Sequence, residues 1–273
     1  MATALLSKSI DARWFQIAFL GTFFTFGLLF KGWIPNVVHY ATVFVVALST
    51  QTFWIRFKGL PDHRSLLSAA ITSFSLCMLL KTNAAWVSAL AAALAVSSKF
   101  LFRMDGKHFF NPANVGLVAA FLTGEAWLSP GQWGSGYAML FLFCATGLMV
   151  VGKVGRIETT AGFLLTYLGL EAVRQLWYLG WELDVWTHKL TNGSLLLFAF
   201  FMITDPRSIP NRPWVRTVWA AAIGAVSFVA INFFYKYSAF VWALFFFSPL
   251  TPFLDRHFPA KTFAWTSKGR NDG

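Results

Sequence analysis

Apolar residues along the chain fall into ten segments, each bounded by proline, glycine, asparagine or charged residues. The segments cover roughly residues 14–30, 37–55, 66–80, 84–102, 112–124, 135–152, 160–179, 190–204, 214–234 and 238–254. An α-helix needs roughly 20 apolar residues to cross a bilayer, and most of the segments approach that length. The pattern therefore predicts an all-α fold, a polytopic membrane bundle of about ten transmembrane helices.

Lysine and arginine are distributed unevenly between the two sides that ten crossings define. Of the 22 basic residues, 17 fall on the side that holds both termini, and the other side has only Lys31, Lys81, Arg174, Lys189 and Lys236. Because basic residues are enriched in cytoplasmic loops, we expect both termini to be cytoplasmic. The predicted organisation is a cytoplasmic N-terminus at 1–13, a single transmembrane domain at 14–254 and a cytoplasmic C-terminal tail at 255–273.

Composition agrees with a membrane protein and excludes several other classes. Charged residues make up 12% of the chain and hydrophobic ones 57%, against about 25% and 45–50% in soluble domains. The formal charge of +11 is scattered between apolar segments, so we expect the lipid bilayer as a partner and no nucleic acid. The two cysteines, Cys77 and Cys144, belong to no metal-binding cluster, and no metal site is expected. Ten helices can form two inverted five-helix repeats, but the halves show no self-similarity that supports this.

The stretch from Asp105 to Asn114 interrupts the apolar segments in an unusual way. Asn111 is a good N-cap and Pro112 suits the first helical position, so a helix is predicted to start there. Residues 123–125 end it well short of a full crossing. A helix that begins at membrane depth must have its N–H groups buried in protein or lining a cavity, and in transporters such ends hold anionic groups. An ordinary cytoplasmic turn before a slightly short helix fits the spacing equally well.

A second break runs from Thr204 to Pro213, where three prolines fix an extended, rigid loop. Both breaks follow even-numbered segments, so they are predicted on the same side and can surround one site. Basic side chains and a helix N-terminus suit a phosphate or an electron-rich ring system. The candidate cofactor-binding residues are Lys107, His108, Asn111, Asn114, Thr204, Asp205 and Arg207, with Arg212 beside them. For the basic residues the alternative is topological, since any cytoplasmic loop accumulates them.

Glu171 is the one acidic residue well within an apolar segment. A carboxylate at that depth is expensive and should face the bundle with a partner. Arg174, three residues on along the same helical face, is the expected partner. Two interpretations stay open for this intramembrane polar candidate: a proton or cation path, and a structural ion pair near the outer surface.

The two breaks also resemble known sequence motifs. Phe110-Asn111-Pro112-Ala113 before a glycine-containing apolar helix, and Phe201-Met202-Ile203-Thr204-Asp205-Pro206, resemble signature segments of the RnfD/NqrB family. That family comprises membrane subunits of the Rnf and Na+-translocating NADH:quinone reductase complexes. The resemblance spans roughly residues 60–254. It implies a ten-helix bundle related to the urea-transporter fold, flavin held in the membrane domain, ion-coupled electron transfer, partner electron-transport subunits, and a bacterial-type cytoplasmic (inner) membrane.

The chain departs from this family in one loop. Members in the complexes have a long extracytoplasmic loop, in which the threonine of a Ser-Gly-Ala-Thr type motif bears a flavin. Here the loop is shortened to residues 125–136, without a threonine after a Ser-Gly-Ala. The chain therefore resembles a short, stand-alone RnfD-like member. We expect no covalent flavin, and expect any FMN, riboflavin or quinone to be bound non-covalently.

The sequence thus favours one function and leaves a second open. The first is an integral membrane electron-transport protein or subunit of the RnfD/NqrB type, with no catalytic residue identified. The alternative is a small-solute transporter or channel on the same scaffold without redox activity. The lack of the flavin attachment motif favours this alternative.

Overall fold

The structure, a computed structural model of the chain, describes residues 12–33, 36–60, 65–128 and 137–263. Three predicted regions lie wholly or largely outside the described residues: the N-terminus up to residue 11, the shortened loop at 129–136, and the end of the tail at 264–273. Three helices are long and apolar enough to cross a membrane: Arg13–Phe30, Val37–Phe57 and Pro213–Phe234. Together with several shorter apolar helices, they confirm a helical membrane protein. The number of crossings stays a prediction.

The described residues form twelve α-helices. They are α1 (Ala12–Phe30), α2 (Val37–Phe57), α3 (Ser65–Leu79), α4 (Ala85–Leu101), α5 (Pro112–Phe121), α6 (Tyr137–Val154), α7 (Ile157–Ala172), α8 (Leu183–Leu190), α9 (Gly193–Leu197), α10 (Pro213–Phe234), α11 (Ala239–Phe247) and α12 (Leu250–His257). Helices α7 and α9 continue into π-helical segments, Val173–Tyr178 and Phe198–Met202. The predicted segment 238–254 is divided between α11 and α12 at Pro249, because proline has no N–H group to continue a helix.

Two short antiparallel strand pairs accompany the helices, and the all-α prediction missed them. Strand β1 (Leu80–Thr82), which follows α3, pairs with β4 (Ala126–Leu128), which follows α5. Strand β2 (Arg103–Met104) pairs with β3 (Lys107–His108) across a two-residue turn. Both turn residues, Asp105 and Gly106, have positive φ angles of 52° and 75°. An Asp-Gly pair with positive φ at both positions is typical of a tight hairpin turn, so the first break begins as a small hairpin.

Glycines allow the closest helix contacts in the bundle. A Cβ at Gly162 in α7 would lie 2.7 Å from the Thr217 carbonyl oxygen in α10, and one at Gly224 in α10 would lie 2.9 Å from the Phe163 carbonyl oxygen in α7. Small residues at such crossings let helix backbones approach closely in membranes. These two contacts fix α7 against α10, and the two sites described below lie at opposite ends of α7.

Gly162→Ala should lower the free energy of unfolding by about 1–3 kcal/mol, because α7 and α10 must move apart to admit the methyl group. Gly169 lies in the same helix, and a Cβ there would meet no atom within 4 Å. Gly169→Ala should therefore be neutral or raise stability by up to about 1 kcal/mol through helix propensity. SDS-induced unfolding in mixed micelles measures both variants. Equal stabilities would show that the α7–α10 contact relaxes without cost.

Candidate functional site

The two breaks predicted from the sequence lie against each other. The Arg207 Nη2 atom donates to the Gly106 carbonyl oxygen at 3.0 Å, and His108 Nε2 lies 3.5 Å from Asp205 Oδ2. Asn111 Nδ2 donates to the Met202 carbonyl oxygen at 3.1 Å. The hairpin β2–β3, the start of α5 and the loop after the second π-helical segment therefore form one surface.

Asn111 joins the two breaks and also caps α5. Its Oδ1 accepts the Asn114 N–H at 3.0 Å, and Pro112 occupies the first turn of the helix. The helix start predicted from Asn111 and Pro112 is confirmed. With Oδ1 bound to Asn114 and Nδ2 to Met202, the amide is already engaged on both sides. Asn111 thus positions the breaks rather than offering hydrogen bonds to a ligand.

A cavity of about 80 Å³ lies where the breaks meet α1, α3 and the end of α6. Of the predicted residues, His108, Asn111, Thr204, Asp205 and Arg207 line it. The Thr204 hydroxyl donates to the Phe200 carbonyl oxygen at 2.6 Å, so it supports the loop. Apolar side chains of α6 and Phe201 complete the wall. The cavity is thus polar on the side of the breaks and apolar on the side of α6.

Asp205 is a carboxylate held within its own loop. Burial alone would raise the pKa of Asp205, but the His108 ring and the Arg207 backbone N–H, 3.1 Å from Oδ1, bring it below its ordinary value. Its charge is thereby compensated locally, so it presents little free negative charge to the cavity.

Arg207 supplies the donor that is best placed for a ligand. Burial lowers the pKa of the Arg207 guanidinium, and the nearby Asp205 carboxylate partly offsets this. Its Nη2 is bound to Gly106, but its Nε is buried and has no hydrogen-bond partner within the described part of the chain. A buried donor without a partner costs free energy, and an anionic oxygen in the cavity would satisfy it.

Lys107 and Asn114, which the sequence predicted at the same site, do not line the cavity. Lys107 Nζ donates to Asp255 Oδ2 at 2.8 Å, to Asn211 Oδ1 at 3.1 Å and to the Ile209 carbonyl oxygen. Burial lowers the pKa of Lys107, and Asp255 partly offsets this. Lys107 points away from the cavity because side chains alternate along a strand and His108 takes the cavity side. Lys107 therefore fastens the hairpin to α12, to which Asp255 belongs.

Asn114 lies beneath the cavity, inside the bundle. It is fully buried, and its Nδ2 donates to the Val241 carbonyl oxygen in α11 at 2.8 Å. Arg212, which the sequence placed beside the site, is exposed at the start of α10 and does not line the cavity. The sequence candidates thus divide into a lining group and a supporting group.

Several lining residues were missed by the sequence analysis, because they come from segments counted only as crossings. They are Arg13, Gln16, Ser68, Thr72 and Ser75. Lys99 of α4 approaches the same region, with Nζ 3.4 Å from the Ser68 hydroxyl. A lysine and an arginine just inside apolar segments were the available indication, but the sequence analysis counted both only as cytoplasmic charges.

The prediction that Arg174 pairs with Glu171 is wrong. The Glu171 carboxylate is fully buried and lies 2.5 Å from Lys189 Nζ, while the Arg174 guanidinium lies over the Phe233 ring at 5.7 Å. The α-helix gives way to a π-helical segment at Val173, which changes the angular spacing of the following residues. An argument from α-helical i, i+3 spacing therefore fails at Arg174.

Helices of membrane-crossing length, two breaks packed together and a basic cavity between them define a helical membrane protein with a site at one end of its bundle. Residues 120–264 match the sequence model of the NQR2, RnfD, RnfE family. The chain belongs to this family. It is also 24% identical to the RnfD component of the ion-translocating oxidoreductase complex of Alcanivorax borkumensis over 310 aligned residues, which cover 88% of each chain. The family match includes the second break, and the first break lies before it.

Proposed function

We propose that this chain is a membrane subunit of an ion-translocating oxidoreductase, and that its cavity holds the phosphate group of a non-covalently bound FMN. The observation that supports the site is the pair of guanidinium side chains, Arg13 and Arg207, in the wall of one cavity whose only lining carboxylate, among the described residues, is bound by His108. Guanidinium groups bind phosphate through charge-assisted hydrogen bonds. The family membership and the name of the relative support the oxidoreductase assignment.

The cavity fits one end of a flavin nucleotide better than the other. A cavity needs about 10–15 Å³ per water, so a volume of about 80 Å³ admits a phosphate group but not a three-ring isoalloxazine. The basic lining also favours FMN over riboflavin, which lacks the phosphate, and over a quinone, whose carbonyl groups are neutral. When bound, the flavin would supply electron transfer between carriers, while Arg207, Arg13 and His108 would hold its anionic end.

The residues of the chain divide this task between binding and positioning. Arg207 Nε offers a buried donor, and the Asp205 carboxylate keeps the His108 ring and the Arg207 backbone in place. Asn111 fixes the distance between the breaks through its bond to Met202. Lys99 adds positive charge behind Ser68. The result is a rigid anion site whose main donors come from separate elements.

Contacts between loops support the ten-helix topology with both termini on the cytoplasmic side, which we propose for the chain. At the predicted cytoplasmic end, Lys107 pairs with Asp255. At the predicted outer end, strand β1 pairs with β4, and Lys81 lies over the Trp33 ring at 5.3 Å. Each of these contacts joins two loops that the sequence predicts on the same side of the membrane.

The size of the cavity also favours a second candidate function. A volume of about 80 Å³ lined by hydroxyl, amide and basic groups suits a small solute or anion without any ring system. On this alternative the chain is a transporter that shares the scaffold of the family and has no redox role. Measurements on the phosphate group distinguish the two candidates, because only FMN binding requires both the anion and the flavin.

The test is flavin binding by the purified chain in detergent, followed by quenching of flavin fluorescence. FMN should bind at least tenfold more tightly than riboflavin. Arg207→Gln should weaken FMN binding by at least tenfold, because it removes one charge-assisted bond to the phosphate. The matched control is Arg212→Gln, which removes an exposed arginine of the same loop outside the cavity and should leave affinity unchanged.

Three results would count against this proposal. Equal affinity for FMN and riboflavin would exclude phosphate recognition. Equal losses in Arg207→Gln and Arg212→Gln would reduce the effect to general surface charge. Binding of inorganic phosphate without any binding of FMN would favour the small-solute transporter.

A further inference from the structure

A second polar cluster, built around Glu171, lies at the other end of α7. Glu171 is 13 residues beyond Glu158, which pairs with Arg216 near the breaks. With a rise of 1.5 Å per residue, that spacing is roughly 20 Å along the helix. The cluster is therefore separate from the cavity described above, and neither the family match nor the proposed FMN site assigns it a role.

Three elements contribute hydrogen bonds to the Glu171 carboxylate. Lys189 Nζ of α8 lies 2.5 Å from Oε2, and Gln175 Nε2 of the π-helical segment lies 2.8 Å from the same oxygen. Asn232 Nδ2 of α10 lies 2.7 Å from Oε1. Tyr167, one turn earlier in α7, also faces the carboxylate. The site thus has one negative charge, two amides and a phenol, with one ammonium as the counter-charge.

The ammonium comes from the element that is held least firmly. None of the residues of α8 is buried. Beyond the Lys189 bond, α8 is joined to α7 at Trp186, whose Nε1 donates to the Leu168 carbonyl oxygen at 3.0 Å. The Lys189 side chain is 31% exposed, whereas Glu171 is fully buried. Lys189 therefore lies between Glu171 and the surface, where a small movement of α8 would uncover the carboxylate.

The other two walls show features of a binding site. Gln175 is buried, and its Oε1 has no hydrogen-bond partner among the described residues. A buried unpaired carbonyl oxygen is costly, and it can serve as a ligand for a hard cation. Gln175 also lies in the π-helical segment Val173–Tyr178, and π-helical turns occur frequently at functional sites. An ion pair with a purely structural role would require neither feature.

We propose that Glu171 is the centre of a binding site for a monovalent metal cation, and that the Lys189 ammonium occupies this site when the ion is absent. Without Lys189 the cluster has a single net negative charge, which one monovalent ion neutralises. The carboxylate oxygens of Glu171 and the Oε1 of Gln175 supply oxygen ligands of the kind that hard cations take. Movement of α8 exchanges the tethered ammonium for the ion.

The first test is binding of 22Na+ to the purified full-length chain in a scintillation proximity assay. The wild-type chain should bind one ion per chain, displaced by excess unlabelled NaCl but not by choline chloride. Lys189→Met should bind Na+ at least tenfold more tightly, because the competing ammonium is gone. Lys236→Met, which removes an exposed lysine from the nearby α10–α11 turn, should match the wild type.

Glu171→Gln should abolish Na+ binding, and it keeps the size of the side chain so that the protein folds. If Lys189→Met does not fold, the comparison of wild type with Glu171→Gln still decides the matter, since equal 22Na+ binding by these two would overturn the proposal. Binding that depends on pH but not on Na+ would overturn it too, because Glu171 would then take a proton. FMN affinity measured on the same variants should not change, so failure of this proposal is distinguishable from failure of the proposed function.

Discussion

Lys107→Met should lower the free energy of unfolding by about 3–5 kcal/mol, the typical cost of removing one partner of a buried ion pair. The Asp255 side chain is only 17% exposed and would keep its charge without the ammonium. Asn211 Oδ1 and the Ile209 carbonyl oxygen would lose the same donor. SDS-induced unfolding in mixed micelles measures the loss. FMN affinity should fall as well, because the hairpin that presents His108 is no longer fastened to α12.

A second ion pair between the same two elements provides a matched control. Arg256 of α12 lies 3.5 Å from Asp105 of the hairpin turn, but both side chains are more than half exposed. Exposed pairs contribute about 0–1 kcal/mol, so Arg256→Gln should change stability very little. The double variant Lys107→Met/Asp255→Asn should recover much of the loss, since asparagine can still accept the Asn211 N–H bound by Asp255 at 2.7 Å. If Lys107→Met is no less stable than Arg256→Gln, Lys107 does not fasten the hairpin.

Asn111→Ala should lower the free energy of unfolding by about 2–5 kcal/mol, because two buried backbone groups lose their partners at about 1–3 kcal/mol each. One is the Asn114 N–H at the start of α5, and the other is the Met202 carbonyl oxygen of the second break. Asn111→Ser should lose only part of this. Serine can still cap the helix, but its side chain is too short to reach Met202. The difference between the two variants measures the cap, and the loss in Asn111→Ser measures the bond between the breaks.

Asn192 is the control for this series, because it is an asparagine that caps α9. Its side chain accepts from the Ser194 and Leu195 N–H groups at 3.0 and 3.2 Å. Since serine preserves a cap of this kind, Asn192→Ser should cost well under 1 kcal/mol. FMN affinity should drop in Asn111→Ser and remain normal in Asn192→Ser. Equal stabilities and affinities for these two variants would show that the Asn111–Met202 bond does not hold the breaks together.

Local features of the site could be predicted from the sequence because they depend on neighbouring residues. Asparagine before proline, followed by a short apolar run, determines where α5 starts, and the structure has the helix beginning at Pro112. Segment lengths and hydrophobicity determine the helical membrane class in the same way. The family membership follows from the same local motifs together with the sequence match. None of these conclusions requires knowing which helices are adjacent.

Which side chains share the cavity was decided by the tertiary structure. Arg13 and Ser68 line the cavity because α1 and α3 pack beside the breaks, and sequence distance gives no information on such neighbours. Lys107 and His108 are adjacent in the chain, yet one bonds to Asp255 and the other lies beside Asp205. The alternation along a two-residue strand determines this division, and the sequence analysis did not predict that strand.

The partner of Glu171 shows the same limit most clearly. The sequence indicated correctly that a carboxylate within an apolar segment must face the bundle with a partner, since an unpaired buried charge is too costly. It did not indicate Lys189, which lies 18 residues away and reaches the carboxylate only because α8 folds back over α7. The π-helical segment then turns Arg174 from the expected face to Phe233. The need for a counter-charge is thus a property of one residue, but its identity depends on helix packing and on a local change of helical geometry.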